Sequence, residues 1–498
     1  MAVLMRYQSL PLIAAGLLLA AAAAQVTAAE LVPTPRATLL PASVTNRPFL
    51  AAASTLVPVD LVASGYAEDE LLASGQGSIL GWAPGSTIAV AARTSKLPWI
   101  TRVLVRRPVD TRRFSGRVIV ELLDVKDRHD VAPLWALSHE QFIRSGDVWV
   151  GVTMSLGALA TLNRFDSLRY ELLATASSQA ASCTSAAAPE TGLAWDMIAQ
   201  VGALLRSTSR ENPLRSYGLQ RVILAGYATG GGYVITYANA MHDTQRLGGM
   251  EPVYDGYLSA AATEGAPLDP CAPALPAADP RRTPLPREVP VVVVLTQSER
   301  GSDLRRVDSD GRADIYRLYE IAGAARSGPF PSGQPIEVDL QIAGVESRPE
   351  NVCREPLSDF PLGFAFNAIW RQLDRQLVTG EAMVSVPRIE VDARGEPRLD
   401  RQGNVLGGWR LPQIDVPLAA YAGRSTPRQN DALTRATCDQ TGSMRRYDVA
   451  RLKGLYKDRN AYIEKFNAAV DLAVEQGTLV SEDGAALKAP AVRTLPAF

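Results

Sequence analysis

The sequence predicts an α/β fold with a mostly parallel central sheet and helices on both of its faces, and three observations predict it. Residues 116–123 (GRVIVELL) read as a strand, 132–144 as a helix stopped by Gly146, and 148–154 (VWVGVTM) as a second strand. Strand, helix, strand is the pattern of a parallel unit. Residues 289–296 (VPVVVVLT) are nearly all apolar, as strands buried on both faces are. Residues 221–235 (RVILAGYATGGGYVI) run from an apolar strand through a glycine turn into a helix.

The elements follow in order. Residues 1–29 carry Arg6, then a short Leu/Ala run, then the small residues Val26, Thr27, Ala28 and Ala29. This is the layout of a cleaved secretory signal peptide, so the mature chain is expected to be periplasmic or secreted; an uncleaved anchor is the alternative. No other apolar stretch reaches the roughly 18 residues of a membrane span. After a low-complexity Ala/Pro leader, residues 101–108 (TRVLVRRP) read as a strand stopped by its proline. Residues 177–188, rich in Ser and Ala and holding Cys183, read as a surface loop. Residues 191–206 (TGLAWDMIAQVGALLR) have helical spacing, 316–321 (YRLYEI) form a further strand, and a helix over 362–377 closes the sheet. Beyond a core domain of residues 30–385, residues 386–498 form a C-terminal appendage. It contains a Gly/Pro-rich segment at 403–423 and an amphipathic helix at 461–476. Tyr462, Phe466, Val470 and Ala473 share one face of that helix, and Gly477 ends it.

The charges nearly cancel, 51 Lys and Arg against 52 Asp and Glu, which speaks against a nucleic-acid partner. A chain that is 47% apolar supports one large core with an appended region. Four cysteines, Cys183, Cys271, Cys353 and Cys438, suggest two disulfides in an oxidising compartment, with three pairings open. There is no C-x-x-C spacing and there are only three histidines, so no metal site or cofactor is expected.

The turn Gly226-Tyr227-Ala228-Thr229-Gly230 has the G-x-S-x-G frame of a nucleophile elbow with alanine at the serine position. The glycines leave room for a strained turn against a closely packed helix, although a glycine-rich turn of this kind also suits phosphate binding. In hydrolase order a catalytic histidine follows the acid strand, yet His242 lies 14 residues past Ala228, about 20 Å along the elbow helix. His139 falls within a helix and His129 in the loop after a strand, and neither has an implied carboxylate partner.

Over nearly the whole mature chain the sequence resembles a family of exported bacterial α/β-hydrolase-domain proteins presumed to be ester hydrolases. The resemblance rests on VIVELLDV (118–125), VWVGVTM (148–154), AWDMIAQVGALLR (194–206), the elbow, VYDGYL (253–258), YRLYEIAGAAR (316–326) and LGGWRLPQIDVPLAAYAG (406–423). It implies an α/β-hydrolase fold, puts the nucleophile position at Ala228, the acid at Glu299 and the histidine at Arg326, and matches the oxyanion loop to residues 125–128, where glycine is absent. Arg326 stays protonated and cannot be a base; it either binds a carboxylate or phosphate or pairs with Glu299 or Asp303. Thr229 reads as a helix N-cap and Tyr227 as a pocket-lining donor or a packed ring. The expectation is a pocket that binds an acidic or acyl small molecule without Ser-His-acid catalysis. The alternatives are an active hydrolase using water on Glu299 or attack by Thr229, and a purely structural envelope protein.

Overall fold

The computed structural model describes residues 30–43, 46–86, 88–173, 192–299, 304–328, 330–346, 352–489 and 498. The signal reading at 1–29, the loop at 177–188 with Cys183, and Asp303 lie outside the described residues. A ten-stranded sheet organises the molecule. Its strands are β1 (Arg36–Leu40), β2 (Tyr66–Trp82), β3 (Val90–Pro108), β4 (Arg117–Leu122), β7 (Val148–Val152), β8 (Arg221–Tyr227), β9 (Gly256–Ala260), β10 (Val291–Thr296), β11 (Ser309–Gly311) and β12 (Asp314–Ile321). The short strands β5 (Asp124–Lys126) and β6 (His129–Val131) pair only with each other. In space the order is β11-β12-β10-β9-β8-β4-β7-β3-β2-β1. The six strands from β12 to β7 are parallel, and β11 at one edge and β3, β2 and β1 at the other are antiparallel.

Helix α1 (Pro133–Ser145) connects β4 to β7, and α4 (Thr229–Ala240) connects β8 to β9. Together with α2 (Leu156–Phe165), α3 (Ala194–Arg206) and α5 (Leu362–Thr379) they cover the sheet. The central strands alternate between two cores: Val118, Val120 and Leu122 of β4 point into one apolar cluster with Trp195 and Tyr237, while Ile119 points into the other with Trp135, Trp149 and Trp370.

Several parts of the sheet were not anticipated, the edge strands β1 and β11 among them. The stretch read as a low-complexity leader contains β2 and most of β3, a hairpin whose alternation is obscured by Ala, Gly and charged residues. Opposite charges set its register, with Arg106 facing Glu68 at 2.7 Å and Arg107 reaching Asp69 at 2.7 Å. Strand β9 is all buried, but its five residues GYLSA hold too little apolar character to signal it.

Helix α1 begins at Ala132 with no side-chain cap of its own; the cap comes from β4. The Glu121 carboxylate accepts from the Leu134 and Trp135 amides at 2.8 and 2.9 Å and from Trp149 Nε1 at 2.7 Å. Burial raises its pKa from 4.5 to about 7 despite those donors. Because the folded value is the higher one, the native state binds the extra proton between pH 4.5 and 7, so this group lowers stability as pH rises through that window. We expect Glu121→Gln to remove a decline of about 3 kcal/mol over the window, measured by urea unfolding at fixed pH values. His129, held down to about 4 by burial, slopes the opposite way between pH 4 and 6.5 and is common to both proteins, so it cancels. Parallel stability curves for the two proteins would contradict this account of Glu121.

Residues 386–489 are woven into the same cores. Trp409 forms a parallel bridge with Ile321 beside β12 and packs edge-on over Tyr319 with ring centroids 4.8 Å apart. Helix α7 (Arg459–Glu475) buries Tyr462, Phe466, Val470 and Ala473 in the cluster that holds Trp370, along the face its spacing defined. The Cys353–Cys438 disulfide is formed, with Cα atoms 5.7 Å apart, and Cys271 is disulfide-bonded too.

Candidate functional site

The turn after β8 lies at the carboxyl edge of the parallel strands, where ligand sites of open α/β sheets gather. Ala228 sits at its apex with φ 47° and ψ −108°, a conformation that costs a non-glycine residue of order 1–3 kcal/mol. Its amide is tied to Ala260 O at 2.8 Å. A Cβ on Gly226 would collide with the backbone of Gly230, and one on Gly230 with Leu122 O. The packing of helix against strand therefore demands both glycines.

Thr229 is the first residue of α4, and Ala228, not Thr229, holds the N-cap position; no side chain caps this helix. The reading of Thr229 as the cap is corrected accordingly. Its amide instead donates to Asp124 Oδ1 at 3.2 Å. The Thr229 hydroxyl and the Val125 amide lie beside the Asp124 carboxylate and favour its charged form. Burial raises the Asp124 pKa against these donors and the nearby Arg326 charge. Asp124 was not singled out in the sequence. The signal was positional: β4 pairs with β8 so that Leu122 stands opposite Gly226, and a residue two places further on must flank the elbow.

The loop carrying residues 125–128 lacks glycine, yet its turn takes the left-handed region all the same, with φ 48° at Asp127 and 68° at Arg128. His129 lies in β6 and is buried, where a loop was expected. His242 is in the turn beyond α4, bonded through Nδ1 to Tyr257 Oη at 2.8 Å and through Nε2 to Glu288 at 2.9 Å, away from the elbow as its position implied. His139 bonds to the Trp135 carbonyl within α1.

Glu299 follows β10 and Arg326 follows β12. The Glu299 Oε2 accepts from the Thr296 amide and hydroxyl, both at 2.7 Å. Its Oε1 is buried with no hydrogen-bond partner, and burial raises its pKa. The anticipated Glu299–Arg326 ion pair is absent among the described residues, although Arg326 still lowers the pKa of both Glu299 and Asp124 through space. Arg326 is fixed by its main chain. Its amide donates to Ser298 Oγ at 3.1 Å, and its carbonyl accepts from Tyr227 Oη at 2.8 Å. Tyr227 is thus both a donor and a packed ring, lying edge-on to Phe330 at 5.3 Å. Among the described residues no hydrogen bond or ion pair engages the Arg326 guanidinium.

These groups border a hollow of about 620 Å³ lined by Asp124, Tyr227, Ala228, Thr229 and Arg326 on the sheet side. Its roof comes from helix α6 (Ala432–Gln440), through Leu433, Ala436, Thr437 and Gln440, and from Cys353. The C-terminal segment therefore does cover the site. It is pinned there by the disulfide and by bonds from Ser327 N to Gln440 O at 2.8 Å and from Ser298 Oγ to Gly423 O at 2.6 Å.

A parallel sheet with a strained strand-turn-helix elbow at its carboxyl edge defines the α/β-hydrolase class. The chain belongs to the alpha/beta hydrolase domain family, whose model matches residues 32–489. No curated protein matches it. Among solved structures it is similar to esterase Est22, at 10% identity and a TM-score of 0.25, with coverage of 47% of this chain and 65% of that one. It is also similar to a thermostable esterase from Pseudomonas putida ECU1011, at 12% identity and TM-score 0.32 over 66% of this chain and 86% of that one. A third is an S-formylglutathione hydrolase from Agrobacterium tumefaciens, at 11% identity and TM-score 0.24 over 50% and 87%.

Proposed function

We propose that this α/β-hydrolase-fold protein binds a small acidic or acyl molecule in its elbow cleft and does not hydrolyse esters by a Ser-His-acid mechanism. One observation carries the reading. The elbow amide of Thr229, which in this fold would stabilise an oxyanion, holds the Asp124 carboxylate instead, and the apex residue beside it is Ala228. A fixed negative charge there opposes the very charge that acyl transfer develops. The methyl of Ala228 offers no nucleophile, and Arg326 offers no base. An open hollow with polar walls argues against a purely structural role.

A second reading retains one specific support: the Thr229 hydroxyl lies beside the Asp124 carboxylate, the neighbour an activated nucleophile needs. Water on Glu299 has no comparable support, because its Oε2 is held by Thr296 and its Oε1 is sealed from the hollow. Purified full chain is expected to leave p-nitrophenyl acetate and butyrate at the buffer rate. Turnover by the wild type that Thr229→Val or Asp124→Asn abolishes would replace the binding reading with the second one.

The same proposal includes export. The leader at 1–29 and the cysteine disulfides suit an oxidising compartment; a periplasmic or secreted fraction should yield a chain beginning near residue 30, and cytoplasmic recovery with an intact leader would count against it.

A further inference from the structure

A second hollow, of about 720 Å³, opens beside the first. The two share seven wall residues, Lys126, Gln334 and Phe330 among them, so they are two arms of one cleft. The first arm carries Asp124, Thr229 and Arg326 in its wall. The second is walled by Leu56, Leu137, Phe360, Pro361 and Leu362 together with Phe330.

The hydrogen bonds decide what head group fits. The carboxylates along the cleft are already matched by the protein. Asp124 accepts from the Thr229 amide at 3.2 Å, Glu355 accepts from Ser425 Oγ and the Thr426 amide, both at 2.6 Å, and Asp359 accepts from Arg446 at 2.6 Å and Tyr421 Oη at 3.2 Å. Asp127 has a partner as well. Lys126 reaches Gln334 Oε1 at 3.5 Å. Lys126 keeps further N–H donors beyond that one long bond, and among the described residues the Arg326 guanidinium has no hydrogen-bond or ion-pair partner, its five N–H donors forming a fork that fits a carboxylate. With Asp124 so close, a singly charged acceptor suits the site better than a phosphate dianion.

Resting on the binding function proposed above, we propose that the ligand is an amphiphilic monocarboxylate, its carboxylate on Arg326 and its alkyl or aryl tail in the apolar arm. Apolar lining with one convergent charged group is the usual build of a small-molecule site, and the tail supplies affinity in proportion to the apolar area removed from water.

Calorimetric titration of the full chain tests this with octanoate, octylamine, octanamide and acetate. Octanoate is expected to bind, octylamine at least tenfold more weakly, and acetate below detection. Arg326→Gln should weaken octanoate at least tenfold and leave octanamide within twofold. Leu137→Trp, which fills the apolar arm, should weaken octanoate and octanamide alike. Octylamine binding as tightly as octanoate, or an Arg326→Gln variant that binds octanoate like the wild type, would overturn the assignment. If no alkyl probe binds while the wild type remains inert toward esters, only this ligand class fails; if the wild type turns over esters through Thr229, the parent reading fails whatever the titration shows.

Discussion

Ala228→Ser combined with Arg326→His gives a feeble ester hydrolase, and adding Asp124→Ala raises its kcat/KM on p-nitrophenyl butyrate about a hundredfold. The turn already places residue 228 at a strained apex with φ 47°, so a serine hydroxyl there would face the hollow. A histidine at 326 inherits a main chain fixed by Ser298 and Tyr227, and the buried, unpartnered Oε1 of Glu299 is the acceptor its Nδ1–H requires. The double replacement thus restores nucleophile, base and acid but leaves the Thr229 amide on the Asp124 carboxylate. Removing that carboxylate frees the donor and deletes the opposing charge, and a single oxyanion donor is worth about 10²–10³ in rate. Equal rates for the double and triple variants would show that Asp124 does not govern the elbow amide.

Trp409→Ala costs about 3–5 kcal/mol of unfolding free energy, the range for deleting a large buried aromatic. Trp409 is fully buried. Its ring lies against Tyr319, its Nε1 donates to Thr478 O at 3.1 Å, and its amide donates to Glu320 O at 2.6 Å. It therefore joins β12 to the turn that follows α7, and β12 leads directly into the Arg326 loop. Its loss loosens the roof of the cleft as well as the core, so ligand binding should weaken in the same variant at temperatures where it remains folded. Trp409→Phe, which keeps the ring contact, should cost less than half as much. A Trp409→Ala variant within about 1 kcal/mol of wild type would mean that the C-terminal segment does not help to hold the core. Urea unfolding followed by far-ultraviolet circular dichroism reads both variants.

The central strands were legible because burial on both faces leaves runs such as VVVVLT, and the elbow was legible because two backbone approaches exclude any Cβ at Gly226 and Gly230. The β2–β3 hairpin was not, since its register is set by ion pairs between residues 38 apart and not by an apolar alternation. The site divides in the same way. Ala228, Tyr227, Thr229, Glu299 and Arg326 were all named from the sequence, and the structure places Tyr227, Ala228, Thr229 and Arg326 in one hollow with Glu299 buried behind it. Asp124 escaped notice, because a carboxylate at the end of a strand reads as an ordinary polar terminus until the neighbouring strand's register sets it beside the Thr229 amide. The roof also escaped, since α6 is a short polar helix whose position depends on a disulfide between cysteines 85 residues apart.

The central claim is that the elbow carries no nucleophile, and covalent labelling tests it most directly. Incubating the purified full chain with an alkyl fluorophosphonate and measuring intact mass should give the unmodified mass for wild type and a single adduct for the triple variant Asp124→Ala, Ala228→Ser, Arg326→His. A stoichiometric adduct on the wild type, mapped to Thr229, would contradict the account.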